Sequence, residues 1–103
     1  ARELYYLART FTGAEAAEMG VVNRAVAPEE LDSEAAQWAK KLAEGPSIAL
    51  GLMKSNFNLA ECAPLSEALD QEALNMARTF QTEDHAEAAR AFVEKRTSKF
   101  EGK

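Results

Sequence analysis

Glu83-Asp84-His85-Ala86-Glu87-Ala88-Ala89-Arg90-Ala91-Phe92-Val93-Glu94-Lys95-Arg96 decides the fold class of this chain. Acidic residues open the stretch and cations close it, so the charges oppose a helix macrodipole at both ends, and Thr82 stands where an N-cap belongs. The stretch therefore predicts a helix. His85, Ala88, Ala89, Phe92 and Val93 recur at i, i+3, i+4, i+7 and i+8, which predicts one apolar face, with Phe92 and Lys95 as neighbours at its edge. An aromatic ring beside a cation can hold a nucleotide. A packed Phe beside a solvated Lys satisfies the same spacing.

Upstream the pattern repeats with different punctuation. Leu4, Leu7, Ala8 and Phe11 mark an opening helix, and Thr12-Gly13-Ala14-Glu15 has the form of a capping box that starts a short second one. Gly20 suits the left-handed end of that helix, and Val21-Val22-Asn23-Arg24-Ala25-Val26 reads as a strand rich in β-branched residues. A lone strand needs a sheet to join. Pro28 opens the next helix, with Leu31, Ala35, Trp38 and Leu42 on one face and Trp38 as its core anchor. Gly45-Pro46 breaks that helix and restarts the chain as Ser47 to Ala60, where apolar residues cover more than one face and imply burial on several sides. Pro64 starts a further helix with Leu65, Leu69, Ala73, Met76 and Phe80 in register. The expected fold is mainly α, five or six helices with one short strand.

The composition limits what such a fold can do. With 103 residues, 47% of them hydrophobic, the chain can form one modest core with a high ratio of surface to volume. A net charge of −5 argues against a general nucleic-acid binder. The charge is uneven, because Lys95, Arg96, Lys99 and Lys103 share the last nine residues with a single Glu101. That contrast fits a local anion contact or a solvated tail. Cys62 is alone, so an intrachain disulfide is impossible; its expected role is packing, and its expected setting is a reducing, cytoplasmic compartment. No stretch approaches the ~20 apolar residues of a membrane span. The chain opens on Ala1 directly into an amphipathic pattern, which is the expectation for a piece of a longer protein.

Two blocks carry a family resemblance. Ala91-Phe92-Val93-Glu94-Lys95-Arg96, preceded by Thr82-Glu83-Asp84 and followed by Phe100 and Gly102, resembles the closing segment of the crotonase superfamily, the enoyl-CoA hydratase/isomerase family. Ala1 to Leu4 and Gly13 to Val26 resemble its helix-then-strand segment, and Pro46, Ala49 and Lys54 lie between the blocks. The resemblance covers essentially the whole chain. It implies that residues 1–26 end a catalytic body and that 27–103 form the C-terminal helical segment for oligomerisation and CoA contact. It further implies an acyl-CoA substrate and a homo-oligomer (trimer or dimer of trimers); that no nucleic-acid or membrane partner is expected rests on the charge and the lack of a long apolar stretch. Phe92 and Lys95 are then the cofactor-binding positions, contacting the adenosine phosphate end of a CoA thioester that serves as substrate. Two positions depart from the family pattern: Ala88 stands where a Gly often occurs, and Leu7-Ala8 occupy the place of a frequent Thr-Gly pair.

The search for chemistry within the chain itself returns little. There is no Gly-rich phosphate loop, no H-E-x-x-H and no C-x-x-C. Most carboxylates lie at helix starts or on polar faces, where capping and solubility account for them. His85, the single histidine, could act as a base only with a partner, and the sequence offers none. Lys54 reads as an outward-pointing lysine with a buried stem. No catalytic residue and no metal ligand is expected, since the family's oxyanion hole and its acid and base carboxylates lie upstream of the segment resembled here. Three functions remain open: a segment of an acyl-CoA hydratase or isomerase, a stand-alone helical oligomerisation module, and a small acyl-CoA-binding domain.

Overall fold

The computed structural model describes residues 2–103, which form two compact units that divide inside one helix, at Ala36 and Gln37. Six α-helices carry the chain: α1 Arg2–Tyr6, α2 Gly13–Glu18, α3 Leu31–Ala43, α4 Ser47–Ala60, α5 Leu65–Thr79 and α6 Glu83–Glu94. A 3₁₀ turn, Pro28–Glu30, leads into α3 with Pro28 at its first position, as its fixed φ favours.

In the first unit the capping box forms as the sequence implies. The Thr12 hydroxyl accepts the Glu15 amide at 3.2 Å, and the Glu15 carboxylate accepts the Thr12 amide at 2.7 Å. That backbone hydrogen bond from Thr12, joined by one from its hydroxyl, holds the Glu15 carboxyl below the usual range. Gly20 takes φ +72 just after α2, the left-handed position expected of it. Arg24 pairs with Glu34, tying the segment before the 3₁₀ turn to the start of α3.

Two expectations for this unit need correction. Val21–Val26 is not a strand: residues 21–23 bend, 24–27 run without regular structure, and no strand occurs among the described residues. The segment has the β-branched residues of a strand, but its first two amides, Val21 and Val22, donate to the Ala16 carbonyl of α2 rather than to a partner strand. The opening helix also ends early, at Tyr6, and its expected stripe does not extend to Ala8 and Phe11. Ala8 takes φ +46, which stops the helix. This left-handed position falls where the resemblance places a Gly, so Ala8 holds a conformation that its Cβ disfavours.

The second unit is built on α4 and α5, two helices joined by residues 61–64. They run antiparallel, with Ala49, Leu52, Met53 and Asn56 facing Asn75, Met76, Thr79 and Phe80 across a shared groove. Pro46 and Pro64 stand immediately before the two helices, where the missing amide costs no intrahelical bond. The contact is polar at its centre. Asn75 is 2% exposed and donates to Asn56 Oδ1 at 2.6 Å, while its own Oδ1 accepts from Gln71 at 3.0 Å. The buried Asn75 amide thereby uses both its nitrogen and its oxygen.

Large apolar side chains stay outside this small core. Phe57 is 70% exposed, and Leu69, Leu74, Met76 and Phe80 are exposed with it, in keeping with the multi-sided α4 read from the sequence. Trp38 is a correction: at 43% exposure it is no core anchor, because the apolar face of α3 is left largely open. Cys62 is likewise exposed rather than packed, its thiol lying near the Asn58 and Leu59 carbonyls.

Candidate functional site at the end of the last helix

Helix α6 begins as its sequence dictates. The Thr82 hydroxyl accepts the His85 amide at 3.1 Å, and Glu83 and Asp84 occupy the first turn. The His85 ring lies against Phe80, centroids 4.7 Å apart and tilted by 52°. The buried face differs from the one expected. Asp84 (4% exposed) and Ala91 (0%) are its covered positions, whereas Phe92, at 85%, and Val93 stand in the open.

The cause is the tail, which folds back along α6. Asp84 accepts the amides of Glu101 (2.8 Å) and Gly102 (3.0 Å) on its two carboxylate oxygens, and its own amide donates to the Lys103 carbonyl at 3.2 Å. One turn further on, Glu87 receives both terminal nitrogens of Arg96, at 2.6 and 2.9 Å, and the Lys99 amide at 3.0 Å. The Arg96 Nε donates to Glu94 at 2.6 Å. Arg96's hydrogen bonds and then the Lys99 amide push the Glu87 carboxyl down to about 2. The same bonds, Glu87 first and Glu94 second, raise the Arg96 guanidinium. The tail thus buries Asp84 and half-covers Glu87 on the same side of α6, and an open recess of about 460 Å³ lies among Asp84, Glu87, Arg90, Arg96 and Lys99.

Between helix and tail stands Lys95, at φ 55 and ψ 39. The Arg96 amide donates to the Ala91 carbonyl at 3.0 Å and the Lys95 amide to Phe92 at 3.3 Å, the paired bonds of a Schellman ending. Glycine usually fills that left-handed position; here a lysine does. The two residues singled out in the sequence therefore share one helix end, joined through the backbone, both exposed to solvent. Sequence reasoning missed Asp84 and Glu87, although their spacing of three, with Ala91 four residues later, is that of a covered helix face.

The family comparison joins this geometry to a known fold. The profile described as enoyl-CoA hydratase/isomerase matches residues 1–103. The chain belongs to that family. A short-chain enoyl-CoA hydratase from Clostridium acetobutylicum is 34% identical over 102 residues, which are 99% of this chain and 38% of the relative. Among solved structures, an enoyl-CoA hydratase subunit I from Geobacillus kaustophilus superposes with a TM-score of 0.87 at 38% identity, over 99% of this chain and 40% of that one. An enoyl-CoA hydratase from Bacillus anthracis gives a TM-score of 0.86 at 31% identity, again over 99% and 40%. The chain therefore spans about two fifths of the length of these relatives. As an enoyl-CoA hydratase/isomerase family segment it is helical throughout its regular structure. No described helix is long and apolar enough to cross a membrane, and no cluster of three or more metal-ligating side chains occurs among the described residues.

Proposed function

We propose that this chain is the C-terminal helical part of an enzyme that hydrates an enoyl-CoA or shifts its double bond through an enolate. Residues 1–26 end the catalytic body in this reading, and 27–103 cover the acyl pocket, contact neighbouring subunits of a trimer or dimer of trimers, and supply part of the CoA site. The apolar surface of α4 and α5 supports the subunit contacts, since exposed patches of this kind mark interfaces. The free Cys62 thiol suits a reducing cytoplasm.

The observation that carries the reading is that Phe92 and Lys95 are both exposed at the end of α6, in a chain matched by the family profile over its whole length. The ring offers a stacking face for a base, and the ammonium offers a charge for a phosphate. Both lie far along the ligand from the reacting carbonyl, so their contacts stabilise ground state and transition state alike.

Lys95→Ala in the full-length protein tests this. KM for a CoA thioester rises by up to about tenfold, the exposed limit for a charged hydrogen bond, while kcat stays close to wild type. The loss shrinks as salt rises. A pantetheine thioester, which lacks the adenosine phosphate, is unaffected. Equal weakening of both ligands, or of neither, refutes the assignment of Lys95.

A further inference from the structure

Lys95 occupies a conformation that its own sequence does not favour. Glu94, Lys95 and Arg96 are all good helix formers, so the local preference is for α6 to continue through them. The chain instead reverses at Lys95 with φ 55, where a Cβ meets the following carbonyl and where glycine is the usual residue. A non-glycine residue persists in that region only when its surroundings over-determine it.

The surroundings here are the tail contacts. Glu87 grips Arg96 through a two-point fork and takes the Lys99 amide, and Asp84 takes the amides of Glu101 and Gly102 while donating to Lys103. Gly102 completes the path. It has φ +74, and a Cβ there would stand 2.6 Å from the Ser47 hydroxyl at the start of α4. The tail is therefore fastened along the first half of α6, which requires the chain to turn back after Glu94, and Lys95 is where it turns.

We propose that Asp84 and Glu87 are positioning residues for the nucleotide end of the ligand: by latching residues 96–103 along α6, they hold Lys95 in the left-handed turn that presents its ammonium to a phosphate. This rests on the reading that Lys95 contacts the nucleotide. The competing state is an α6 extended through Lys95 and Arg96. Each added helical residue turns by 100° and rises 1.5 Å, so the extension sends the Lys95 side chain out from the helix in a different direction than the left-handed turn does.

The experiment uses the full-length protein, with free coenzyme A and pantetheine as calorimetric probes. The variants are Glu87→Gln, Asp84→Asn, Lys95→Ala and the double variant Glu87→Gln/Lys95→Ala. Amide exchange at Lys99, Glu101 and Gly102 is followed in each. Glu87→Gln accelerates exchange at Lys99 and weakens coenzyme A by about three- to fivefold, in the range of direct couplings between neighbouring groups, and leaves pantetheine unchanged. On the Lys95→Ala background the same change has no further effect on affinity. Asp84→Asn, which is isosteric, gives the same selectivity and stands in where Glu87→Gln does not fold.

Normal coenzyme A affinity in Glu87→Gln and Asp84→Asn, with Lys95→Ala weakened, overturns the latch and leaves the CoA reading standing. An undiminished effect on the Lys95→Ala background, or equal loss of pantetheine, also overturns it. Unchanged coenzyme A affinity in Lys95→Ala removes the reading on which the latch rests.

Discussion

Replacing Lys95 by glycine should tighten the end of α6 while it deletes the side chain. A residue with a Cβ costs about 1–2 kcal/mol in the left-handed region, and Lys95 sits there at φ 55 and ψ 39. Glycine removes that cost and adds about 0.5–1 kcal/mol of conformational entropy to the unfolded chain. The net gain is about 0.5–1 kcal/mol, which slows local opening by roughly two- to fivefold. The two Schellman bonds, from Lys95 and Arg96 to Phe92 and Ala91, are the structure that must open, so their amides report it directly. Hydrogen exchange of residues 95 and 96 in the full-length protein, compared among wild type, Lys95→Gly and Lys95→Ala, is the assay. Lys95→Ala keeps the Cβ and therefore exchanges at about the wild-type rate, whereas Lys95→Gly is slower. Both variants lose the selective contact with CoA, so the more rigid cap accompanies the weaker site. Exchange in Lys95→Gly as fast as in Lys95→Ala refutes the argument, because the left-handed turn would then carry no strain.

Acid should release the tail late. Glu87 falls from 4.5 to about 2 in the folded state, so its contribution is complete above about pH 5 and is lost as pH falls toward 2. The groups around it are the Arg96 fork, Arg90 at 3.9 Å, the Lys99 amide, and Glu83, Asp84 and Glu101 along the same recess. Protection of the Lys99 amide should survive at pH 4 and disappear near pH 2; release already at pH 5 contradicts this. In the α4–α5 pair, Asn75→Ala leaves Asn56 Oδ1 without its donor and should cost about 1–3 kcal/mol in denaturant unfolding of the full-length protein. Asn56→Ala should then cost less on that background than alone, and strict additivity would show that the hydrogen-bonded amide pair is not a unit.

Much of the helical framework is legible from local chemistry alone. Thr12 and Glu15, Gly20, Pro28, Pro46, Pro64 and Thr82 each act within a few residues of themselves, through a cap, a permitted φ or a missing amide, so their effects follow from neighbouring sequence. Phe92 and Lys95 are singled out through the family resemblance rather than by local chemistry, and the helical register expected to align them stops at Glu94, one residue before Lys95. Where the outcome depends on a distant backbone, the sequence is silent or misleading. Val21–Val26 has the residues of a strand, but a strand exists only when another strand accepts its hydrogen bonds, and here none does. Trp38 keeps helical register with an apolar stripe, yet burial requires a partner surface and the side chain remains half open. The reverse holds for Asp84 and Glu87. Carboxylates in the first turns of a helix read as dipole-compensating and solvated, and only the returning tail, 9 to 18 residues away in sequence, turns them into the covered face of α6. The left-handed turn at Lys95 belongs with them: local propensity favours continuing the helix, and the tail contacts accompany the reversal.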